Sequence, residues 1–191
     1  MGNINISSKP KGTRMVKKII AIDLVPTEWV ARDRYAMPHF PLREFIDHFA
    51  SNGVDVLETL VTLQRRVPED DSSEAVAHAA SQFENKRYAL EMSGARIIEC
   101  PSKRSQISPS GFKQSDDQRL IVRTLTLCMK LKPDFLTLVG ADGDYAPMVE
   151  ALRDEGIRTE VVACSDMLAS DLKRCAVKII DLDPILQSLR K

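Results

Sequence analysis

The sequence has few of the residues on which serine-type hydrolysis or zinc binding depends. It contains three histidines and four cysteines, and no two cysteines have the spacing of a zinc motif. It also contains no glycine-rich phosphate loop and no serine–histidine–aspartate arrangement. A structural zinc site and a serine nucleophile are therefore not expected.

Long apolar runs and an excess of one charge are missing as well. No apolar stretch of 18 residues is present, so no transmembrane helix is predicted, and the polar N-terminus lacks a signal-peptide core. The 27 basic and 27 acidic residues balance, so net charge indicates no particular partner. The four cysteines lie in stretches typical of core elements, which predicts reduced, buried thiols in a cytoplasmic protein. They are Cys100, Cys128, Cys164 and Cys175.

The composition is that of one globular domain behind a basic arm. The chain has 191 residues and is 43% hydrophobic, which suits a single full core over residues 15–191. Residues 1–18 carry five basic side chains and no acid. We expect residues 1–14 to form a mobile basic arm.

Short apolar runs alternate with stretches of helical spacing along the whole chain. Strands are predicted at residues 15–23, 54–63, 95–100, 135–139, 157–163 and 177–182. Helices are predicted at residues 41–51, 72–92, 115–130, 145–155, 167–176 and 184–189. This alternation predicts an α/β fold, with a parallel sheet of about five or six strands and helices on both faces.

Prolines interrupt the segment that follows the first predicted strand. Residues 24–41 contain three prolines, so we predict a long loop with about one helical turn near residues 28–34. The segment also carries Trp29, Tyr35 and Phe40. Two interpretations stay open: a hydrophobic flap over the core, or a surface on which nucleobases stack.

Two carboxylates flank a glycine directly after the fourth predicted strand. Asp142 and Asp144 follow a buried run, at the sheet edge where α/β proteins bind ligands. Asp144 is also a good helix cap, and Asp-Gly is common turn chemistry. Carboxylates held close together repel, however, and a hard ion such as Mg²⁺ or Mn²⁺ removes that repulsion. This stretch alone leaves both explanations open.

Further acids are predicted at the same edge. Asp23 ends the first strand, and Asp116 and Asp117 open the helix before the fourth strand. If these carboxylates meet Asp142 and Asp144, one or two divalent ions would make a centre for metal-assisted phosphodiester hydrolysis.

A serine-rich basic segment, residues 101–113, precedes that helix. It carries Lys103, Arg104 and Lys113. A solvated surface loop and a cationic lip that holds phosphates are both consistent with its composition.

The order of these motifs resembles the NYN domains, which are PIN-like metal-dependent ribonucleases. The matching pieces, spread over about residues 16–187, are Ile22-Asp23, Lys113-Gln-Ser-Asp-Asp117, Leu138-Val-Gly-Ala-Asp-Gly-Asp-Tyr145 and Ser170 to Asp181. The family's third piece reads Ser-Gly-Asp-x-Asp-Phe.

The resemblance implies a PIN-like, Rossmann-like fold and an endoribonuclease that needs Mg²⁺ or Mn²⁺. It implies Asp23, Asp117, Asp142 and Asp144 as catalytic residues, with the metal on Asp23, Asp142 and Asp144. Lys103, Arg104 and Lys113 would contact RNA phosphates. The expected partner is single-stranded RNA; a homodimer stays open, and no membrane partner is expected.

The chain also departs from the family pattern. Leu24-Val-Pro26 replaces the family's Gly-x-Asn after the first Asp, the acid expected nearly two turns into the helix is Val122 or Arg123, and Val177 stands where a late Asp is usual. These departures favour an alternative, a catalytically weakened RNA-binding or protein-interaction module on the same fold.

Two ambiguities remain. The family's Lys-x-x-Asp spacing selects Asp116, whereas Asp117 shares the inward face of Ile121 and Cys128 and is our choice. Asp23 and Thr27 also fit the Asp-x-x-x-Thr frame of haloacid-dehalogenase-like phosphatases, whose Asp is a nucleophile. That phosphatase is the third interpretation.

Overall fold

The computed structural model describes residues 14–50, 53–65, 68, 72–104, 112–113 and 116–190, with the backbone alone at 103–104 and 112–113. The predicted mobile arm lies outside these residues except for Arg14. In chain order the elements are β1 (Val16–Ile22), α1 (Leu24–Tyr35), α2 (Leu42–Phe49), β2 (Val54–Arg65), α3 (Ser73–Met92), β3 (Arg96–Pro101), β4 (Lys103–Arg104), β5 (Phe112–Lys113), α4 (Asp116–Leu131), β6 (Phe135–Val139), α5 (Ala146–Asp154), β7 (Arg158–Ala163), α6 (Ser170–Cys175), β8 (Lys178–Asp181) and α7 (Leu182–Leu189).

Six of the strands form one parallel sheet in the order β3-β2-β1-β6-β7-β8. The predicted α/β fold is therefore confirmed. The chain builds outward from β1 in one direction and then returns to place β6 on its other side, which is the order of Rossmann-like folds. The switch point between β1 and β6 is where such sheets leave a crevice for ligands.

Helices cover both faces of the sheet because the central strands are apolar on both sides. Ile20 and Ile22 pack into a core with residues of α1, α2, α3 and α7. Ile19 and Ala21 point the other way, into a core with residues of α4, α5 and α6. This alternation follows from the two-residue period of a strand.

The loop predicted for residues 24–41 was wrong over its first two thirds, which form the twelve-residue helix α1. Pro26 lies in the first turn, where its missing N–H would have no intrahelical partner. The N–H of Leu24, the first residue of the helix, also has no partner within the helix, and it donates to Thr62 Oγ1 on β2 at 3.1 Å. The helix therefore starts directly after Asp23, and Ala36 ends it in a left-handed conformation with φ of 53°.

Several smaller predictions also change. The segment 101–113 was predicted as a loop, but β4 and β5 pair in it as a short antiparallel hairpin. Helix α6 is shorter than predicted, because it begins at Ser170, and Ala169 occupies its N-cap position without a side-chain bond. All four cysteines are free and buried. None of the described helices has both the length and the apolar composition needed to cross a bilayer.

Candidate metal centre

Asp23 lies at the switch point, directly after β1. Ile22 pairs with Val139 on β6, and the N–H of Asp23 donates to the Val139 carbonyl at 2.9 Å. Asp23 occupies the N-cap position of α1, but its side chain makes no capping bond. Its carboxylate, 6% exposed, is instead directed to the end of β6.

The turn after β6 brings Asp142, Asp144 and Tyr145 to the same place. Asp142 Oδ1 accepts the Asp144 N–H at 3.0 Å and caps a 3₁₀ turn over Gly143–Tyr145. The capping role considered for Asp144 therefore belongs to Asp142. The turn leaves Asp142 and Asp144 exposed and buries Tyr145 completely. Gly140 makes room for its ring, because a Cβ there would lie 3.1 Å from Tyr145 Cε2.

Helix α4 adds the last carboxylates. Asp117, Asp142 and Asp144 each offer an oxygen, and these three oxygens lie within 4.8 Å of one another. Asp116 is buried instead and accepts a hydrogen bond from Gln64 Nε2 at 2.6 Å. Geometry therefore groups Asp117, not Asp116, with the strand-end pair. Asp23 is not a member of this three-carboxylate group among the described residues.

Tyr145 joins Asp23 to the group. Its hydroxyl lies 2.8 Å from Asp117 Oδ1 and 3.0 Å from Asp23 Oδ2. A phenol has one proton and can donate to only one of two acceptors at a time. A proton on Asp23 completes a chain in which Asp23 donates to Tyr145 and Tyr145 donates to Asp117. The other oxygen of Asp23, Oδ1, is buried and has no hydrogen-bond partner in the described structure.

The electrostatics of these groups favour protonation in the absence of a cation. Burial raises the pKa of Asp23 to about 7, and the charge of Asp117 adds to the shift. Burial also raises the pKa of Asp117, with the nearby carboxylates adding to the rise and the Tyr145 hydrogen bond opposing it. Burial and the two flanking carboxylates raise the pKa of Tyr145. No lysine or arginine side chain in the described ranges forms an ion pair with Asp23, Asp117, Asp142 or Asp144.

A second acidic cluster offers a direct contrast. Cys164, Asp166 and Asp183 also lie within 4.8 Å of one another. There the guanidinium of Arg34 lies 2.7 Å from Asp166 and 3.4 Å from Asp183, and the Tyr35 hydroxyl donates to Asp183 at 2.5 Å. Arginine thus neutralises the second cluster, whereas the first has no such counter-charge among the described side chains.

The first cluster has the chemistry of a site for a hard divalent ion. Its donors are carboxylate oxygens, which Mg²⁺ and Mn²⁺ prefer. Three of them converge within the span of one ion's coordination shell, and Asp23 Oδ1 remains buried without a partner beside them. The residues present therefore fit Mg²⁺ or Mn²⁺.

The predicted phosphate-binding residues lie next to this centre along the chain. Lys103 pairs with Lys113 across β4 and β5, and Arg104 pairs with Phe112. This hairpin precedes the first residue of α4, Asp116. The side chains of these basic residues lie outside the described structure, so their contact with RNA remains a prediction.

Sequence reasoning missed two residues of this centre. Tyr145 stands where the family pattern has Phe, and a buried tyrosine hydroxyl needs a hydrogen-bond partner, which was the available signal. Gln64 lies just beyond the strand predicted at residues 54–63, but β2 extends through it to Arg65, and its amide donates to Asp116. The sequence carried no local signal for that extension.

The family comparison agrees with this architecture. The sequence model described as NYN domain matches residues 33–183, so the chain belongs to the NYN domain family, within the PIN-like nuclease superfamily. The matched range contains Asp117, Asp142 and Asp144 and leaves out β1 with Asp23.

Solved structures show the same fold. A protein of unknown function from Vibrio parahaemolyticus is 17% identical, with a TM-score of 0.65 over 89% of this chain and 94% of that one. MurG from Acinetobacter baumannii and a UDP-N-acetylglucosamine 2-epimerase are each 11% identical, with TM-scores of 0.45 and 0.46. These matches cover 87% and 93% of this chain but only 41% and 46% of the larger enzymes. No curated protein sequence matches the chain.

Proposed function

We propose that this NYN-domain protein is a divalent-metal-dependent ribonuclease that cleaves single-stranded RNA. The observation that carries the proposal is the convergence of Asp117, Asp142 and Asp144 within 4.8 Å, with no described cation to neutralise them. They lie at the switch point of a parallel sheet in a chain of the NYN family.

In this proposal three carboxylates hold the ion, and the fourth, Asp23, has a different role. Asp117, Asp142 and Asp144 would hold the ion, which supplies a Lewis acid that lowers the pKa of a bound water and stabilises charge on the phosphoryl oxygens. The turn capped by Asp142 fixes the direction of its own carboxylate. Tyr145 positions Asp117 through its hydroxyl. Burial raises the pKa of Asp23 to about 7, so this carboxyl group can hold a proton near neutral pH.

The basic hairpin of β4 and β5 would bind the RNA backbone. Lys103, Arg104 and Lys113 carry the charge that phosphate binding needs, and the hairpin leads directly into the helix that supplies Asp117. We also propose that residues 15–191 act as one domain in the cytoplasm, a location that the four free cysteines support.

Cleavage of a labelled single-stranded RNA tests the proposal. We expect cleavage with MnCl₂ or MgCl₂, none with EDTA, and none in Asp142→Asn. The matched control is Asp154→Asn, the same change at the far end of α5, which should cleave like the wild type. Cleavage that survives EDTA, or that Asp142→Asn retains, would overturn the proposal.

One observation favours the alternative, an RNA-binding module with weak or no catalysis. Val122 and Arg123 carry no carboxylate and both are exposed, so neither position of α4 adds an acid to the centre. Binding of RNA without metal-dependent cleavage in the same assay would favour this module. The phosphatase interpretation gains no support, because the Thr27 hydroxyl donates to the backbone carbonyl of Asp23 at 2.6 Å.

A further inference from the structure

A cleft of about 720 Å³ opens between α1 and α3. We call it the α1–α3 cleft. Its floor is the end of β2, and its volume lies in the range of small-molecule sites, roughly 300–1,000 Å³. The residues used below are Trp29 and Arg32 of α1, Gln64 of β2, and Gln82, Asn85 and Lys86 of α3.

The only tryptophan of the chain lies in the wall of this cleft. Trp29 is 52% exposed although α1 packs on the sheet. Val25 and Arg32 share its face of the helix at spacings of four and three residues, and both also line the cleft. An exposed indole in a concave surface is a stacking platform that accepts any nucleobase.

The opposite wall and the floor supply side-chain amides. Gln64 uses its amide nitrogen to bond Asp116, and the amide nitrogen of Gln82 lies 2.9 Å from His78 Nε2. Their carbonyl oxygens are the groups left to accept hydrogen bonds from a base, and Asn85 offers both a donor and an acceptor. Amides of this kind recognise base edges in RNA and DNA.

Two residues of the cleft connect it to the carboxylate cluster. Leu24 lines the cleft and follows Asp23, while Gln64 joins the cleft floor to Asp116, the neighbour of Asp117. Cationic side chains also line it: Arg32 and Lys86, the latter paired with Glu28 at 2.6 Å across the two walls. A strand of RNA whose phosphate lies at the carboxylates therefore has an adjoining place for a base.

We infer that the α1–α3 cleft binds a nucleobase of single-stranded RNA, stacked on Trp29, next to the phosphate at the carboxylate centre; this inference rests on the proposed function. An apolar protein helix fits less well, because it would remove water from the Lys86–Glu28 pair and from the amides without replacing their hydrogen bonds. A base has an apolar face for the indole and a polar edge for the amides.

Trp29 fluorescence reports directly on this cleft, since no other tryptophan contributes. The full chain is titrated with ten-nucleotide RNAs of each base, once in EDTA and once in CaCl₂, whose Ca²⁺ is a hard ion that carboxylates bind and that removes their repulsion of the phosphate. We expect saturable quenching of the emission. An RNA of the same length with abasic riboses should bind through phosphates alone and leave the emission unchanged.

Variants give an independent measurement through the anisotropy of a labelled RNA. Trp29→Ala should weaken binding by about 5- to 100-fold, and Trp29→Phe by less, because it keeps an aromatic face. Trp29→Phe is also less disruptive to the fold than Trp29→Ala, and thermal melting verifies that both variants are folded. The control is Tyr88→Ala, which removes an aromatic that is 66% exposed on α3 outside the cleft and should leave affinity unchanged.

The outcomes separate this inference from the proposed function. Quenching without metal-dependent cleavage supports the cleft and overturns the ribonuclease. Metal-dependent cleavage with unchanged Trp29 emission, and with wild-type affinity in Trp29→Ala, overturns the cleft and leaves the ribonuclease standing. Equal quenching by abasic RNA would also overturn the inference, because no base would then be stacked.

Discussion

The hydroxyl of Tyr145 lies 2.8 Å from Oδ1 of Asp117, and so ties the turn after β6 to the first turn of α4. The same hydroxyl reaches Asp23 across the end of β1. A single oxygen atom therefore holds three parts of the chain at the switch point. It orients Asp117 without taking part in the three-carboxylate group.

Removing that hydroxyl tests its positioning role. Tyr145→Phe should weaken Mn²⁺ binding by about 10-fold or more, because partners behind metal ligands typically contribute 10- to 100-fold to affinity. It should also lower the free energy of unfolding by about 1.5–3 kcal/mol, the usual contribution of a hydrogen bond to a charged group. Calorimetric titration with MnCl₂ and urea unfolding measure the two effects.

Tyr35→Phe is the matched control for this change. It removes a hydroxyl that also donates to a carboxylate, Asp183, in the cluster that Arg34 already neutralises. Stability should fall, and Mn²⁺ affinity should stay unchanged. Unaltered Mn²⁺ affinity in Tyr145→Phe would show that the hydroxyl has no positioning role.

The unneutralised carboxylates should repel one another when no metal is present. Asp144→Asn removes one charge and should raise the melting temperature in EDTA by about 2–4 °C. It should also abolish the rise that MnCl₂ gives to the wild type. Scanning calorimetry with and without MnCl₂ measures both.

The other cluster provides the comparison for that experiment. Asp166→Asn should lower the melting temperature, because Arg34 holds the pKa of Asp166 below its ordinary value and so stabilises its charge. An equal rise in melting temperature in Asp144→Asn and Asp166→Asn would contradict the predicted repulsion among the carboxylates at the switch point.

The raised pKa of Asp23 predicts a pH dependence of stability. The pKa of Asp23 rises from 3.8 in the unfolded chain to about 7 in the fold. Ionisation of this carboxyl group therefore costs more free energy in the folded protein than in the unfolded chain. Stability should fall as pH rises through this window, by at most about 4 kcal/mol, and level off above it. Asp23→Asn has no carboxyl group to ionise at this position. In EDTA, its advantage in free energy of unfolding over the wild type should therefore be near zero at pH 4 and largest at pH 8.

Urea unfolding of both proteins across this pH range gives the measurement. The difference between the two proteins cancels the contributions of the acids that do not interact with Asp23. An advantage that grows toward acid pH would contradict the assignment of the pKa shift to Asp23.

Gly140 sets the depth of the Tyr145 ring. In Gly140→Ala the new Cβ would lie 3.1 Å from Tyr145 Cε2, so the ring must shift, at a cost of about 1–3 kcal/mol in stability. Mn²⁺ affinity should fall with it. Gly143→Ala is the control in the same turn, because its Cβ would meet Ala169 at an ordinary 3.5 Å. Thermal melting and MnCl₂ titration of the two variants measure these effects. Equal stability and equal Mn²⁺ affinity in the two variants would contradict the role assigned to Gly140.

Much of the fold could be predicted because buried parallel strands are written locally as apolar runs. The run from Phe135 to Val139 is an example, and it agrees with β6 of the structure. The start of helix α3 next to Ser72 was also predicted, because serine is a common helix-capping residue. Helix α1 was missed because Pro26 was taken as a break, although its position in the first turn costs no hydrogen bond.

The centre was harder to predict because its contacts cross the sheet. Strand order brings Asp23 beside Gly140, which lies more than a hundred residues later, and no local pattern encodes that pairing. The second cluster shows the same limit: Arg34 meets Asp166 and Asp183 only because α1 packs against α7.

The position of β1 between β2 and β6 has a consequence for synthesis on the ribosome. Residues 54–65 can pair with β1 early, but its other edge stays open until residues 135–139 emerge. The acidic pocket is therefore completed only when most of the polypeptide has been made. A truncated translation product that ends before this point lacks Asp142 and Asp144 and cannot assemble the pocket.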